Sequence, residues 1–134
     1  MRLNIDCVRE VMLAIESAGF NQVLTVPELS QKLPKYSKDE IHYTCVKLYE
    51  GGYIDAVLIP YPGKAIPAVS AINCLTYDGH KFVDTVRDSK VCNVTKGIAS
   101  KVASVSISMF ENIASQVITN LMTQYIASNP ILLP

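Results

Sequence analysis

The sequence predicts an α+β fold, a winged helix-turn-helix followed by a C-terminal helical extension, and three observations carry it. Ser37 can cap a helix, Glu40 three residues later can complete a capping box, and Ile41, Cys45 and Leu48 then recur on one helical face. Gly51-Gly52 supplies a left-handed stop, after which Tyr53-Ile54 opens a β-rich segment at once. Two β-rich stretches, Val57–Ile59 and Ala68–Leu75, flank Pro60-Tyr61-Pro62-Gly63-Lys64-Ala65-Ile66-Pro67, whose prolines and glycine mark a loop. A capped helix running through glycine into such a hairpin matches the third helix and wing of a winged helix. An ordinary surface helix ahead of a strand explains the 37–54 stretch alone equally well.

The other elements follow in chain order. Asn4 is placed to cap helix one, with Asp6 in its first turn, and Ile5, Val8, Met12 and Ile15 form an apolar stripe that predicts a helix over 4–18. Val23-Leu24-Thr25-Val26 reads as a short strand that pairs with the wing. Pro27 suits the first position of a short helix two, which Pro34 cuts off, and helix three spans 38–50. Thr76 caps a helix whose apolar face is Phe82, Val83 and Val86, interrupted at Arg87-Asp88-Ser89. Val94, Ile98, Val102 and Val105 predict a helix over 91–103. The alternation of Ser104, Ser106 and Ser108 marks a break, and Ser108 with Glu111 is a second capping box. Ile113, Val117, Leu121 and Tyr125 carry the last helix, 108–127, to a stop at Asn129-Pro130. The organisation is a winged-helix domain over 1–88 and an extension over 89–128 in the same compact unit. A tail follows over 129–134, with Ile131-Leu132-Leu133-Pro134 frayed or docked on a neighbour.

Composition narrows the function classes. The chain has 134 residues, 49% hydrophobic and 18% charged, which is globular and not disordered. Its formal net charge is zero, so no global field draws it to nucleic acid or an anionic membrane. Cys7, Cys45, Cys74 and Cys92 are scattered without a CxxC pair, as expected of reduced thiols in a cytoplasmic protein. No signal peptide is expected, because Met1-Arg2-Leu3-Asn4 leads into polar residues. The Asn93-Val94-Thr95 sequon has no meaning in the cytosol. The stretch from Ile98 to Met122 is broken by Lys101, Glu111, Asn112, Gln116 and Asn120, too polar to span a membrane.

Three stretches resemble a known family: Asn4-Ile5-Asp6-Cys7-Val8-Arg9; Tyr36 through Tyr43 and on to Gly52-Tyr53-Ile54; and Leu75-Thr76-Tyr77-Asp78-Gly79-His80-Lys81-Phe82-Val83-Asp84. Together they are similar to a family of bacterial and phage proteins, domain-of-unknown-function family 2513, whose signature is LT-x-x-GH-x-F-hydrophobic-D. The resemblance reaches the region of Tyr125. It departs from the family at Asn4, where an aspartate is frequent, and at Cys92, where an aromatic is. The resemblance implies a small winged-helix protein and a setting in bacterial chromosomes, prophages or other mobile elements. It implies no mechanism.

Few residues carry the signs of chemistry. His80 and Asp84 stand four apart on one helix, without a serine or cysteine as nucleophile. Gly79 suits a close approach of the helix start to the wing, and His80 can bond a backbone carbonyl. His42 with Cys45, or Cys74 with His80, supplies at most half of a zinc site. No Walker loop, GxGxxG or HExxH occurs. The expectation is therefore a non-enzyme with no cofactor and no metal.

Binding is the remaining class. With Ile41, Cys45 and Leu48 inward, Asp39, Tyr43, Val46 and Glu50 face outward and His42 and Lys47 flank them. Carboxylates there repel phosphates, and the expected arginines and adenine-reading amides are absent. Lys32, Lys35 and Lys38 before helix three, with Lys64 on the wing tip, can form a small basic strip, and ordinary solvated surface explains these lysines equally well. The candidate contact residues are Lys32, Lys35, Lys38, His42, Tyr43, Lys47 and Lys64. The leading partner is double-stranded DNA, bound by a transcription-regulator-like protein of phage or mobile-element type. The alternative is a protein partner on a winged helix that does not bind DNA. No membrane partner is expected. A homodimer is expected through Ile98, Val102, Val105, Ile113, Val117 and Leu121, flanked by Phe110, Ile118, Met122 and Ile126; alternatively the last helix folds back onto helix one.

Overall fold

The computed structural model describes residues 1–129. The expected stop at Pro130 and the tail Ile131–Pro134 lie outside the described residues. Within them the order is α1 (Ile5–Glu16), α2 (Val26–Lys32), α3 (Lys38–Glu50), β1 (Ile54–Ile59), β2 (Ala68–Leu75), α4 (Tyr77–Val86), α5 (Ser89–Ala99) and α6 (Ile107–Ser128). The class is α+β: six helices and one two-stranded antiparallel hairpin among the described residues. The chain separates into two compact units, Met1–Val83 and a second that begins at Asp84.

In the first unit, capping fixes where each helix starts. The Asn4 side chain accepts the backbone N–H of Asp6 at 2.9 Å, and Val8, Met12 and Ile15 of the expected stripe are buried. Cys7 and Val11 join them, which widens the buried face beyond the stripe. α2 is capped by Thr25, which accepts the Glu28 N–H at 3.3 Å, so Val26 opens the helix and Pro27 is its second residue, not its first. The expected strand at 23–26 shrinks to one bridge for the same reason. Leu24 donates to Ile72 at 2.9 Å and accepts from it at 2.8 Å, while Thr25 and Val26 already belong to the helix start.

α3 starts where expected: Ser37 Oγ accepts the Glu40 N–H at 3.1 Å. It ends in a Schellman motif. The Tyr53 N–H reaches Leu48 O at 2.9 Å, the Gly52 N–H reaches Tyr49 O at 3.1 Å, and Gly52 takes the left-handed φ of 81°. Ile41, Cys45 and Leu48 are fully buried, and so are Thr44 and Val46. Val46 is therefore core and not outer face. Packing against α1, α2, β1 and β2 covers a wider arc than one apolar stripe.

β1 begins at Ile54, where the β-rich segment was expected to open and three residues ahead of the Val57–Ile59 stretch, with Ile54 and Ala56 facing inward and Asp55 and Val57 outward. Ile54 pairs opposite Leu75 and Ile59 opposite Ala68, with two irregularities in register. After β2 the Thr76 hydroxyl ties two elements together. It donates to Gly52 O at 2.5 Å and accepts the Gly79 N–H at 3.1 Å, starting α4. Gly79 is buried against the Tyr53 backbone, and a Cβ there would overlap the Tyr53 carbonyl oxygen. The expected close approach is thus real. Phe82 is fully buried, its ring 5.9 Å from that of Tyr53 in an edge-on contact.

In the second unit Asp88 caps α5 by accepting the Val91 N–H at 3.0 Å, so the Arg87-Asp88-Ser89 interruption is a helix boundary. α5 stops at Ala99, short of the helix expected over 91–103, and so leaves Val102 outside it. Its buried residues are Val91, Cys92 and Thr95, while Val94 and Ile98 of the expected stripe are exposed. Thr95 fits an apolar setting because its hydroxyl donates to Val91 O at 2.7 Å. Ser106, not Ser108, caps α6, accepting the Met109 N–H at 3.1 Å. α6 packs on α5 and buries Phe110, Ala114 and Val117. No helix of the described residues is long and apolar enough to cross a membrane.

Candidate binding surface

The outer row of α3 and the β1–β2 loop carry most of the candidate residues. His42 links the two: its Nε2 lies 2.7 Å from Pro67 O, so that nitrogen carries the proton and donates. His42 and Ile66 line two shallow hollows of about 340 Å³ each. One adds Tyr61, Lys64, Ala65 and Ala68, the other Met1, Asp39 and Tyr43.

The lysines divide into two groups. Lys47 pairs with Glu50 at 3.1 Å and lies 5.4 Å from the centre of the Tyr43 ring; the hydrogen bond to Glu50 holds its ammonium above the usual lysine range. Lys35 pairs with Glu10 at 2.9 Å. The Tyr36 hydroxyl also donates to Glu10. Burial alone would raise the Glu10 carboxyl, but the Tyr36 hydroxyl and the Lys35 ammonium outweigh it and hold it below its ordinary value. Burial, followed by the Glu10 carboxylate, pushes the Tyr36 phenol up. Lys32, Lys38 and Lys64 are exposed, and no carboxylate pairs with them among the described residues.

The catalytic and metal constellations do not come together as the spacing allowed. Among the described residues the His80 imidazole bonds no backbone carbonyl, although the His80 backbone N–H donates to Thr76 O at 2.9 Å. Its exposed imidazole sits with Nδ1 3.8 Å from Glu16 Oε2, and Asp84 pairs with Arg87 at 3.0 Å. Cys74 and His80 do share a cavity of about 490 Å³ with Glu16, Phe20, Asp55 and Asn73. No group of three His, Cys, Asp or Glu side chains that could hold a metal ion occurs among the described residues. Cys45 is fully buried while His42 turns to the loop. None of the four cysteines is joined in a disulfide.

Of the residues expected at a dimer interface, Val117 is buried and Val105 and Ile113 are half-buried, whereas Ile98, Val102 and Leu121 are exposed. Sequence reasoning missed the Tyr36–Glu10–Lys35 cluster, because Glu10 stands far along the chain from the adjacent Lys35 and Tyr36. It also passed over Tyr61 and Ile66, visible only as apolar residues inside a proline-rich loop.

These elements define a small α+β protein whose candidate site is a surface, the outer row of α3 and the β1–β2 loop. Residues 2–106 match the model of the hypothetical-protein family DUF2513, and the chain belongs to that family. The match stops at Ser106, the cap of α6. No curated protein and no solved structure matches the chain.

Proposed function

We propose that this protein is a cytoplasmic, non-enzymatic winged-helix module that docks on double-stranded DNA. The order α1–α2–α3–β1–β2, with Leu24 bridging to β2, supports the winged-helix reading, with α3 as recognition helix and residues 60–67 as wing. The phage or mobile-element setting rests on the family resemblance alone.

The observation that carries the DNA reading is the set of lysines left without a carboxylate. Lys32 closes α2, Lys38 opens α3 and Lys64 sits in the wing, the places from which such a fold meets phosphates while α3 enters the major groove. α3 carries no arginine, asparagine or glutamine, and Asp39, Glu40 and Glu50 lie along it. Affinity then comes from the backbone, and base discrimination is weak.

A protein partner is the second reading, favoured by the Lys35–Glu10 and Lys47–Glu50 pairs, which cancel two of the five candidate lysines. A mobility shift on mixed-sequence duplex at low salt separates the two. The DNA reading expects a shifted band that is lost in the Lys38→Glu, Lys64→Glu double variant. Equal binding by the double variant places the contact surface elsewhere, and no shift by the unmutated chain rejects DNA in favour of a protein.

A further inference from the structure

α6 outruns the helix it packs on. It meets α5 and buries Phe110, Ala114 and Val117, whereas every residue from Thr119 to Ser128 is exposed. That free end is nonetheless amphipathic. At about 100° per residue, Leu121, Met122, Tyr125 and Ile126 fall within an arc of about 140°, and Asn120, Thr123 and Gln124 occupy the opposite side. The arc is turned by about 80° from the side that meets α5, so α5 does not cover it. Its four side chains are exposed by 37 to 59%. A helix segregated in this way has an apolar face that packs against something.

We propose that the partner is the same face of a second copy, two α6 ends lying antiparallel about a twofold axis between Thr123 and Gln124. A twofold perpendicular to both helices reverses their direction and keeps each ridge of residues on its own side of the seam. Each four-residue step then meets itself: Leu121 lies against the partner's Tyr125, and Met122 against the partner's Ile126. Of the residues expected at a dimer interface only Leu121 takes part, and the expected flank of Ile118, Met122 and Ile126 supplies most of the rest.

Charge and area select a copy of the chain as the occupant. An isologous contact sets every charge beside its own kind, and α6 carries none from Asn112 to Ser128. Glu111 stands about 19 Å along the axis from the twofold, past the end of the partner's helix. A partner of either charge finds nothing to grip on this face, while the face's own copy matches it in neutrality and apolarity. At about 200 Å² for each side chain when fully exposed, the four offer on the order of 400 Å² per protomer. With Ile118 and Thr119 at the margin, the pair buries on the order of 1,000 Å² in total, the size of a weak, reversible interface and not of a permanent one.

The arrangement is tested by complementation in the full chain, independently of what the first unit binds. Sedimentation equilibrium of the unmutated chain moves from a monomer mass at about 10 µM toward a dimer mass at about 1 mM. Met122→Glu or Ile126→Lys alone lowers the association constant by about ten-fold or more, because each sets a charge against an apolar side chain at two symmetry-related contacts. Both positions are exposed, so circular dichroism stays unchanged. Mixed one to one, the two variants form a heterodimer at concentrations where each alone is monomeric, since Glu meets Lys at one contact and Ile meets Met at the other. An unmutated chain that stays monomeric at about 1 mM overturns the proposal. So do single variants that associate like the parent, or a mixture that associates no better than its components. Leu121→Glu with Tyr125→Lys, on the other ridge, is the second pair, used if either first variant loses its helical signal.

Discussion

Replacing Gly79 by alanine pits two effects of opposite sign against each other. Helix propensity alone favours alanine by up to about 1 kcal/mol. The close approach to Tyr53 opposes it. A Cβ at residue 79 would lie 3.1 Å from the Tyr53 carbonyl carbon and 3.3 Å from Leu75 Cβ, and closer still to the Tyr53 oxygen. That last contact falls roughly 1 Å inside the ordinary C···O separation of about 3.3 Å. The obstacle is backbone, which cannot rotate away as a side chain would. The same Tyr53 oxygen accepts the Thr76 N–H at 3.1 Å, so separating α4 from β1 strains that bond too. Overpacking of this kind costs about 1–3 kcal/mol and a lost hydrogen bond about 1 kcal/mol. Against the propensity gain, the net loss is about 2 kcal/mol, or a Tm lower by about 8–16 °C for a unit of this size. Thermal unfolding followed by circular dichroism reads it directly. Gly97→Ala in α5 is the control: nothing lies within 4 Å of its Cβ position, so it should gain about 0.5–1 kcal/mol. A Gly79→Ala protein as stable as its parent, or more so, refutes the close approach of α4 to the Tyr53 backbone.

Val46→Asp should unfold the first unit or cost more than about 3 kcal/mol in urea denaturation, because Val46 is core; a near-neutral effect would return it to the outer face. Alkylation at neutral pH should label Cys74 quickly and the other cysteines only on unfolding, as read by intact mass. Cys74 is exposed, Cys7, Cys45 and Cys92 are buried, and burial pushes the Cys45 thiol up to about 12. Because the Glu10 carboxyl is depressed in the folded protein, its contribution is present above its ordinary value of 4.5 and is lost as pH falls through the lower folded value. Tyr36→Phe should cost about 1–2 kcal/mol at neutral pH and flatten that acid limb, measured by urea melts from neutral pH downward.

Local signals in the sequence were strong where one residue decides one hydrogen bond. Asn4, Ser37, Thr76 and Gly52 each fix an end by a donor or acceptor that the chain itself supplies. Phase was harder to read. α5 has two apolar edges, and the longer row of valine and isoleucine suggested the wrong one. The buried edge holds Cys92 and Thr95, and Thr95 hides its polarity by bonding back to Val91. At the start of α6, Ser106 and Ser108 both offer caps; Glu111 drew attention to Ser108, while the hydrogen bond forms from Met109 to Ser106. On the candidate surface, the candidate lysines were legible in the sequence, but their pairing was not. Glu10 lies on α1 and reaches Lys35 only once the fold brings them together.

The measurement closest to the central claim is the salt dependence of duplex binding, followed by fluorescence anisotropy on a labelled mixed-sequence duplex. Three lysines meeting phosphates give a slope of log affinity against log salt of about −2.7 per protomer, and about −5.4 if a pair of protomers binds. For one protomer that is roughly a forty-fold loss of affinity between about 50 and 200 mM salt. A slope within those bounds, shallower in the Lys38→Glu, Lys64→Glu variant, is the result expected of a winged helix held on DNA by its phosphates. No binding at about 50 mM salt, or a slope flatter than about −1, contradicts it.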